Sequence, residues 1–382
     1  MLKSDRIVVF FFFAITFFIF YFLNYQQVFS GTYESDTVEH IEILKQYFSG
    51  KRYLPHPLWH YCTYYISKVL QISIEMSAII FSSILMTFWV IIVFYFTKQQ
   101  LAMVEKIKDF NSMFYVMVTL AILMVGPLVV PGDYIIYLGK GSPNIWHNIT
   151  IWMVKPFAFL TIVSMLTAIQ LNKNRYFLFS YLFGIVSLFA KPSFIIMFLP
   201  AVFFVALINR YNTKKFWMFY GAMAATSLVV LLYQFSNTFG ESEVVFDFLG
   251  VWSRSSSNIV LSIILGLAFP LLFTFLNKEI LKEPVFQVVW IQVLVGIALY
   301  ALMAQSGRQY SHANFSWSYM LAVNLLYLFS IVRFVAIYQG LMVYKRCMLS
   351  LLLLIQISIG AYYFIKILQG QHPLYISIFF LR

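Results

Sequence analysis

The chain has 382 residues, of which 62% are hydrophobic and only 10% charged, and its mean hydropathy is +0.82. Soluble domains are roughly half apolar and about a quarter charged, so a soluble globular protein is excluded. The net charge of +12 would suit nucleic acid in a soluble chain, but here Lys and Arg lie mostly in short segments between apolar runs, a pattern of membrane topology that implies no nucleic-acid partner.

The opening KSDRIVVFFFFAITFFIFYFLN has a longer apolar run than the ~7–15 residues of a signal-peptide core, with no small-residue cleavage site after it. It is expected to stay as the first span. Further spans are expected near 76–97, 113–131, 148–170, 176–189, 192–208, 216–235, 258–276, 285–304, 316–337 and 347–366. With 7–29 this makes about 11 transmembrane helices in an all-α polytopic membrane protein, residues 1–382 forming a single transmembrane domain. The segment 57–72 is short and carries His60 and Lys68, so it is expected to lie at the interface. Cys62 and Cys347 are too few and too far apart for a disulfide framework.

A cytoplasmic N-terminus puts fifteen of the twenty-six basic residues, among them Lys98, Arg210, Lys278 and Arg333, in short cytoplasmic loops. The same map puts all six histidines on the outer side, together with Glu34, Asp36, Glu39, Glu42, Asp133 and the acids of 241–247. Chemistry is therefore expected on the outer face, with a bacterial inner membrane as the location and the periplasm as the active side.

The first outer loop, 30–75, contains SDTVEHIEILKQYFSG at 35–50. Val38, Ile41, Leu44 and Phe48 recur at spacings of three and four, which predicts an amphipathic helix lying at the interface. Asp36 at its start is either an N-cap forming a capping box with Glu39, or a general base or metal ligand at the bilayer edge. His40 follows one turn later. LPHPLWHY opens a second interfacial helix, where His56 and His60 are spaced to face one way. No HExxH pattern or cysteine cluster accompanies them, so contact with a polar substrate fits better than zinc.

This layout resembles the GT-C superfamily of integral-membrane glycosyltransferases. The resemblance rests on YESDTVEH in the place of that family's acidic motif and on LPHPLWHYCTYYISKVL as its second surface helix. It covers residues 1 to about 100, and the rest of the chain only as a many-span pattern. The family's paired acids are here spread over Glu34, Asp36 and Glu39, and no large C-terminal soluble domain follows. The resemblance implies transfer of a sugar from a polyprenyl-phosphate donor to a sugar, lipid or protein acceptor on the outer face, with inversion at the sugar carbon. Asp36 is the position that matches the family's base. A divalent cation, Mg or Mn, is the one cofactor implied, with Asp36, Glu39 and Asp133 as the acids to hold it.

Later outer segments supply further candidates. Asp133 lies in a Gly- and Pro-rich loop, as a second carboxylate or a turn cap. Trp146, His147 and Asn148 open the fourth span. Lys155 inside that span and Lys191 in LFAKPSF are cations at membrane depth, suited to a lipid phosphate or to snorkelling. Arg308, His312 and Asn314 share the loop before the tenth span, where an Arg fork suits phosphate oxygens. Two other readings stay open: an O-antigen-type polymerase or ligase, and a non-enzymatic flippase or transporter of lipid-linked saccharide. The first expects a large late outer loop, the second inverted repeats or charges deep in several spans.

Overall fold

A run such as FFFFAITFFIFYFL offers an apolar solvent no polar group except its own backbone, and that backbone is satisfied within one segment only as a helix. The computed structural model describes residues 3–31, 35–50, 53–54, 56–105, 107, 110–130, 136–211, 213–238 and 243–372, and it is helical through nearly all of them. In chain order come α1 (Lys3–Phe29), α2 (Asp36–Phe48), α3 (Leu58–Leu70), α4 (Ile74–Ala102), α5 (Ser112–Met124), α6 (Ile136–Lys140), α7 (Ile149–Leu171), α8 (Asn174–Ala190), α9 (Ser193–Ile208) and α10 (Lys214–Thr238). A short strand β1 (Val244–Phe246) leads to α11 (Gly250–Ser253), α12 (Ile259–Gly266) and α13 (Ala268–Leu276). The chain ends with α14 (Pro284–Leu302), strand β2 (Met303–Gln305), a 3₁₀ helix Gly307–His312, α15 (Ser316–Ile337) and α16 (Val343–Leu368). The two strands pair antiparallel, Val244 opposite Gln305.

Among the described residues, seven helices are long and apolar enough to cross a membrane: α1, α4, α7, α10, α14, α15 and α16. The pair α12–α13 would make an eighth, bent by 70°. The protein is thus an all-α polytopic membrane protein. The other expected spans fall on shorter helices, of 13 residues in α5, 17 in α8 and 16 in α9. α5 stops at Met124 instead of running to 131, because Gly126-Pro127 follows and Val125 is already extended.

α15 is the centre. It is apolar on every side and buried along almost its whole length, packed by α14, α9, α13, α4, α5 and α7. The faces turned away from this core carry large exposed apolar residues, such as Phe10, Phe18 and Phe22 on α1 and Leu228, Val229 and Leu232 on α10. That is the distribution an apolar solvent requires.

Where helices break inside the bundle, side chains take over the backbone groups. The Asn144 amide donates to the carbonyls of Ile122 (2.9 Å) and Val125 (3.1 Å) at the end of α5. Gly126 N–H donates to the Gln356 backbone carbonyl (2.9 Å), and the Gln356 side-chain amide donates back to the Gly126 carbonyl (3.0 Å) and to the Tyr327 hydroxyl (2.7 Å). Tyr327 in turn donates to the Gly266 carbonyl at the α12–α13 bend (2.8 Å).

Two ends of the bundle are distinct. At one, Gln27 near the C-terminus of α1 donates to the Trp146 carbonyl just before α7 (2.8 Å), and α2 and α3 gather there. At the other, Asp5 accepts from the Ser112 N–H (3.3 Å), Arg333 grips Glu283 and Lys345 donates to the Leu276 carbonyl (2.7 Å).

The extended chain after α5 runs so close to α16 that a Cβ on Gly360 would lie 1.9 Å from the Met124 oxygen and 2.7 Å from the Gly126 nitrogen. Ala favours a helix over Gly by about 1 kcal/mol, but overpacking against backbone costs up to about 3 kcal/mol. Gly360→Ala is therefore expected to destabilise the protein by about 2 kcal/mol, read as a lowered unfolding temperature in detergent; an unchanged or raised temperature would show that the contact is slack.

Candidate functional site

The site is built around the first turn of α7. Asn148 is that helix's N-cap, with extended backbone, and its side-chain oxygen accepts from the Ile151 N–H (3.0 Å) and the Thr150 hydroxyl (2.9 Å). An N-cap amide used this way has its NH2 group turned outward. That NH2 donates to Oδ2 of Asp36 at 2.6 Å, across 112 residues of sequence.

Asp36 is delivered by α2, though not as its cap. Ser35 is the N-cap, its hydroxyl oxygen accepting from the Thr37 N–H (3.1 Å), so no capping box joins Asp36 to Glu39. Ser35 also donates to Gln27 (3.2 Å), which pins the start of α2 to α1. With the free N–H served by Ser35, the Asp36 carboxyl is released to face α7. Glu39 points to solvent.

Lys191 arrives from the break between α8 and α9. Pro192 disfavours a helical conformation in the residue before it, and Lys191 is extended, at φ −167°. Its side chain is only 8% exposed. Its ammonium donates to the Thr150 hydroxyl (2.8 Å) and stands 5.1 Å from the Trp317 ring. Asp36, Asn148, Thr150 and Lys191 therefore form one hydrogen-bonded series. Among the described residues the ion pairs are Lys45 with Glu42 and Glu75, Lys282 with Glu279, and Arg333 with Glu283; Asp36 and Lys191 are not in one.

Burial pushes the Asp36 carboxyl above the usual carboxylate range, against the opposing pull of Lys191, the Asn148 hydrogen bond and His312. Burial likewise lowers Lys191 to about 8, with Asp36 pulling it back up. The carboxyl is a better proton acceptor than an exposed one, and the lysine remains a cation at neutral pH.

The two surface helices meet over imidazoles. His40 Nδ1 and His60 Nε2 are 3.1 Å apart, and the His40 ring lies 6.2 Å from that of His56. Tyr47 and Tyr61 share a hydroxyl hydrogen bond (2.7 Å), and Phe48 stacks on Tyr64. His60 thus pairs with His40 on α2, and the His56 ring lies beside the same His40 ring. His56 faces Lys191, and burial, then Lys191 and His60, keep it well below the ordinary imidazole value. His147 is buried between Tyr137 (4.6 Å between rings) and Trp317 (6.3 Å), and burial lowers it to about 3.

The remaining expected residues scatter. His312 is exposed at the end of the 3₁₀ helix, near enough to act on Asp36. Asn314 is exposed and donates to Gln305. Lys155 is buried at 1% exposure with its ammonium 4.1 Å over the Trp152 ring and no hydrogen-bond partner. Five residues separate it from Thr150, about 140° around the helix, and its contact is with Trp152 rather than with the Asp36 series. Asp133 lies outside the described residues, as does the side chain of Arg308, whose backbone is in the 3₁₀ helix. Among the described residues no group of three or more His, Cys, Asp or Glu could hold a metal. Asp36 is already engaged by an amide and faced by an ammonium while Glu39 points away, so these two acids do not fit a divalent cation.

Sequence reading singled out Asn148 beside Trp146 and His147, without its link to Asp36, and missed Thr150, Tyr137 and Trp317 as site residues. Asn before an apolar run is a legible N-cap; nothing local says that its other end meets Asp36.

Comparison with models of known protein families gives no match to this chain, and comparison with curated proteins gives none. The function is read from the chemistry of the site alone.

His60 is held neutral, its pKa lowered from 6.5 to about 4, chiefly by burial. Between those values the unfolded chain binds a proton that the folded one refuses, so stability falls as pH falls through that window, by at most about 1.4 kcal/mol per pH unit. His56 and His147 act in the same direction. Ring-nitrogen NMR should find His60 neutral at pH 5, and His60→Gln should flatten the acid side of the stability curve.

Proposed function

We propose that the protein is a membrane glycosyltransferase that moves a sugar from a polyprenyl-phosphate-linked donor to an acceptor hydroxyl on the outer face of the membrane. The observation that carries this reading is a half-buried carboxyl and a buried ammonium held in one hydrogen-bonded series at the end of the bundle where α2 and α3 gather, without pairing directly. Asp36 takes the proton from the acceptor hydroxyl as its oxygen attacks the anomeric carbon. The carbon–oxygen bond to phosphate breaks with its electron pair going to the leaving phosphate, whose charge Lys191 meets. The buried aromatic rings of Tyr137 and Trp317 suit the apolar face of a sugar. We take α5, α8, α9 and the bent α12–α13 pair as spans beside the seven long helices, giving eleven. The cations at the far end of the bundle, Lys278, Lys282, Arg333, Lys345 and Arg346, favour that end as cytoplasmic.

Lys155 favours a second reading. A cation buried inside a long apolar helix suits a carrier of anionic lipid-linked saccharide. A transporting protein would move the lipid-linked sugar across vesicles without consuming it.

Activity needs Asp36 deprotonated and Lys191 protonated. The pH–rate profile of transfer is expected to be a bell, with its acid limb above 3.8, the ordinary carboxylate value, and its alkaline limb near 8. Asp36→Asn should lower kcat by about 100-fold or more, and Lys191→Arg should move the alkaline limb upward, since guanidinium does not lose its proton. The measurement is transfer by purified protein from polyprenyl-phosphate sugars to candidate acceptors; full activity in Asp36→Asn would exclude this role for the carboxylate.

A further inference from the structure

A carboxylate and an ammonium sharing a poorly solvated pocket attract each other strongly. At 4 Å the attraction is about 4 kcal/mol even at an effective dielectric constant of about 20, against about 1 kcal/mol in water. Left free, the flexible lysine would close on the acid, and each would neutralise the other before any substrate arrived. Asp36 and Lys191 act on each other electrostatically yet form no ion pair. The first turn of α7 lies between them. Thr150 accepts from Lys191 at 2.8 Å and donates to Asn148 Oδ1 at 2.9 Å, while Asn148 donates to Asp36 at 2.6 Å.

We propose that Asn148 and Thr150 are positioning residues: a two-member polar spacer that parks the Lys191 ammonium and the Asp36 carboxylate at opposite ends of one hydrogen-bonded series, so that substrate and not a direct ion pair connects them. The direction of each bond is forced. An ammonium only donates and a carboxylate only accepts. The hydroxyl and the amide between them each accept at one side and donate at the other. The spacer is also rigid, because Asn148 Oδ1 simultaneously accepts the Ile151 N–H and both residues sit in the cap of a long helix. Thr150 is wholly buried and Asn148 is 4% exposed, so water does not substitute for either. The other charged or titratable groups facing this series are His312 from the 3₁₀ helix, His56 from the loop before α3 and Tyr137 from α6. None of them stands within the series.

This assignment rests on the glycosyl-transfer reading for its rate effects, but not for its geometry. The test uses full-length protein carrying Thr150→Val, which keeps the shape and removes both hydrogen bonds, and Thr150→Ser, which keeps them. Isotope-edited infrared spectra of the carboxylates are recorded, the Asp36 band being identified by its loss in Asp36→Asn. Transfer from a polyprenyl-phosphate sugar is measured alongside. In Thr150→Val the Asp36 band should move to that of an ion-paired carboxylate, and kcat should fall on the order of 10- to 100-fold with KM little changed. Thr150→Ser should restore both. An Asp36 band that stays in place in Thr150→Val, or a kcat equal to wild type with the band moved, overturns the spacer. If wild type transfers no sugar, the proposed function falls, and the infrared arm still decides whether Thr150 keeps the two charges apart.

Discussion

Each peptide group inside the bundle must find a hydrogen-bond partner within the protein, because an apolar surrounding supplies none. Long helices meet that constraint by themselves. A departure from a helix must be met by another part of the protein, backbone or side chain, and this decides where several of the buried polar residues lie. Asn144 closes the end of α5, Gln356 serves both polar groups of Gly126, and Tyr327 serves the α12–α13 bend. Asn148 belongs to the same group: it caps α7 with its carbonyl and is left with an amide facing Asp36. The functional cluster grows out of the requirement that lets the bundle exist.

The architecture was legible because its signal is long. Apolar runs of about twenty residues predict helices at membrane depth, and each of those runs holds a helix, though 113–131 is helical only to Met124 and 258–276 is bent between α12 and α13. Segments 36–48 and 58–70 were legible as short helices from the spacing of Ile41, Leu44 and Phe48 and from Pro57. What failed was decided by neighbours or by a single residue. Ser35 outcompeted Asp36 for the cap, because a hydroxyl one position earlier reaches the free Thr37 N–H. α5 stopped early because Gly126-Pro127 outweighs the apolar run that continues past it. The number of spans was the least legible, since a helix of 16 or 17 residues is near the lower limit for crossing a bilayer.

At the site, sequence singled out the ionisable residues and Asn148, but not Thr150, which links Asn148 to Lys191. Lys191 was a candidate because charge at membrane depth is costly and therefore informative; Asp36 was one by its place at the head of the first outer helix, and His56 by its spacing from His60. Thr150 looked like any residue of an apolar helix. Its role exists only because Pro192 breaks the chain at Lys191 and sends that side chain to the start of α7. Lys155 stands out equally in the sequence, yet the turn of the helix directs it to Trp152.

The brevity of α8 and α9 has a consequence for the lipid around them. At 1.5 Å per residue they offer apolar columns of about 24–26 Å, and their outward faces carry Leu178, Phe179, Leu182, Phe203 and Phe204. A hydrocarbon layer is about 30 Å thick. On the proposed reading of α8 and α9 as spans, the bilayer beside this flank would thin, or the helices would stand upright where others tilt, to match that length. The Lys191 break is at the end of both columns. A dimple there would lower the headgroup plane toward the ammonium, and on the proposed function it would give an anionic lipid a slope down to the site instead of a climb out of the membrane.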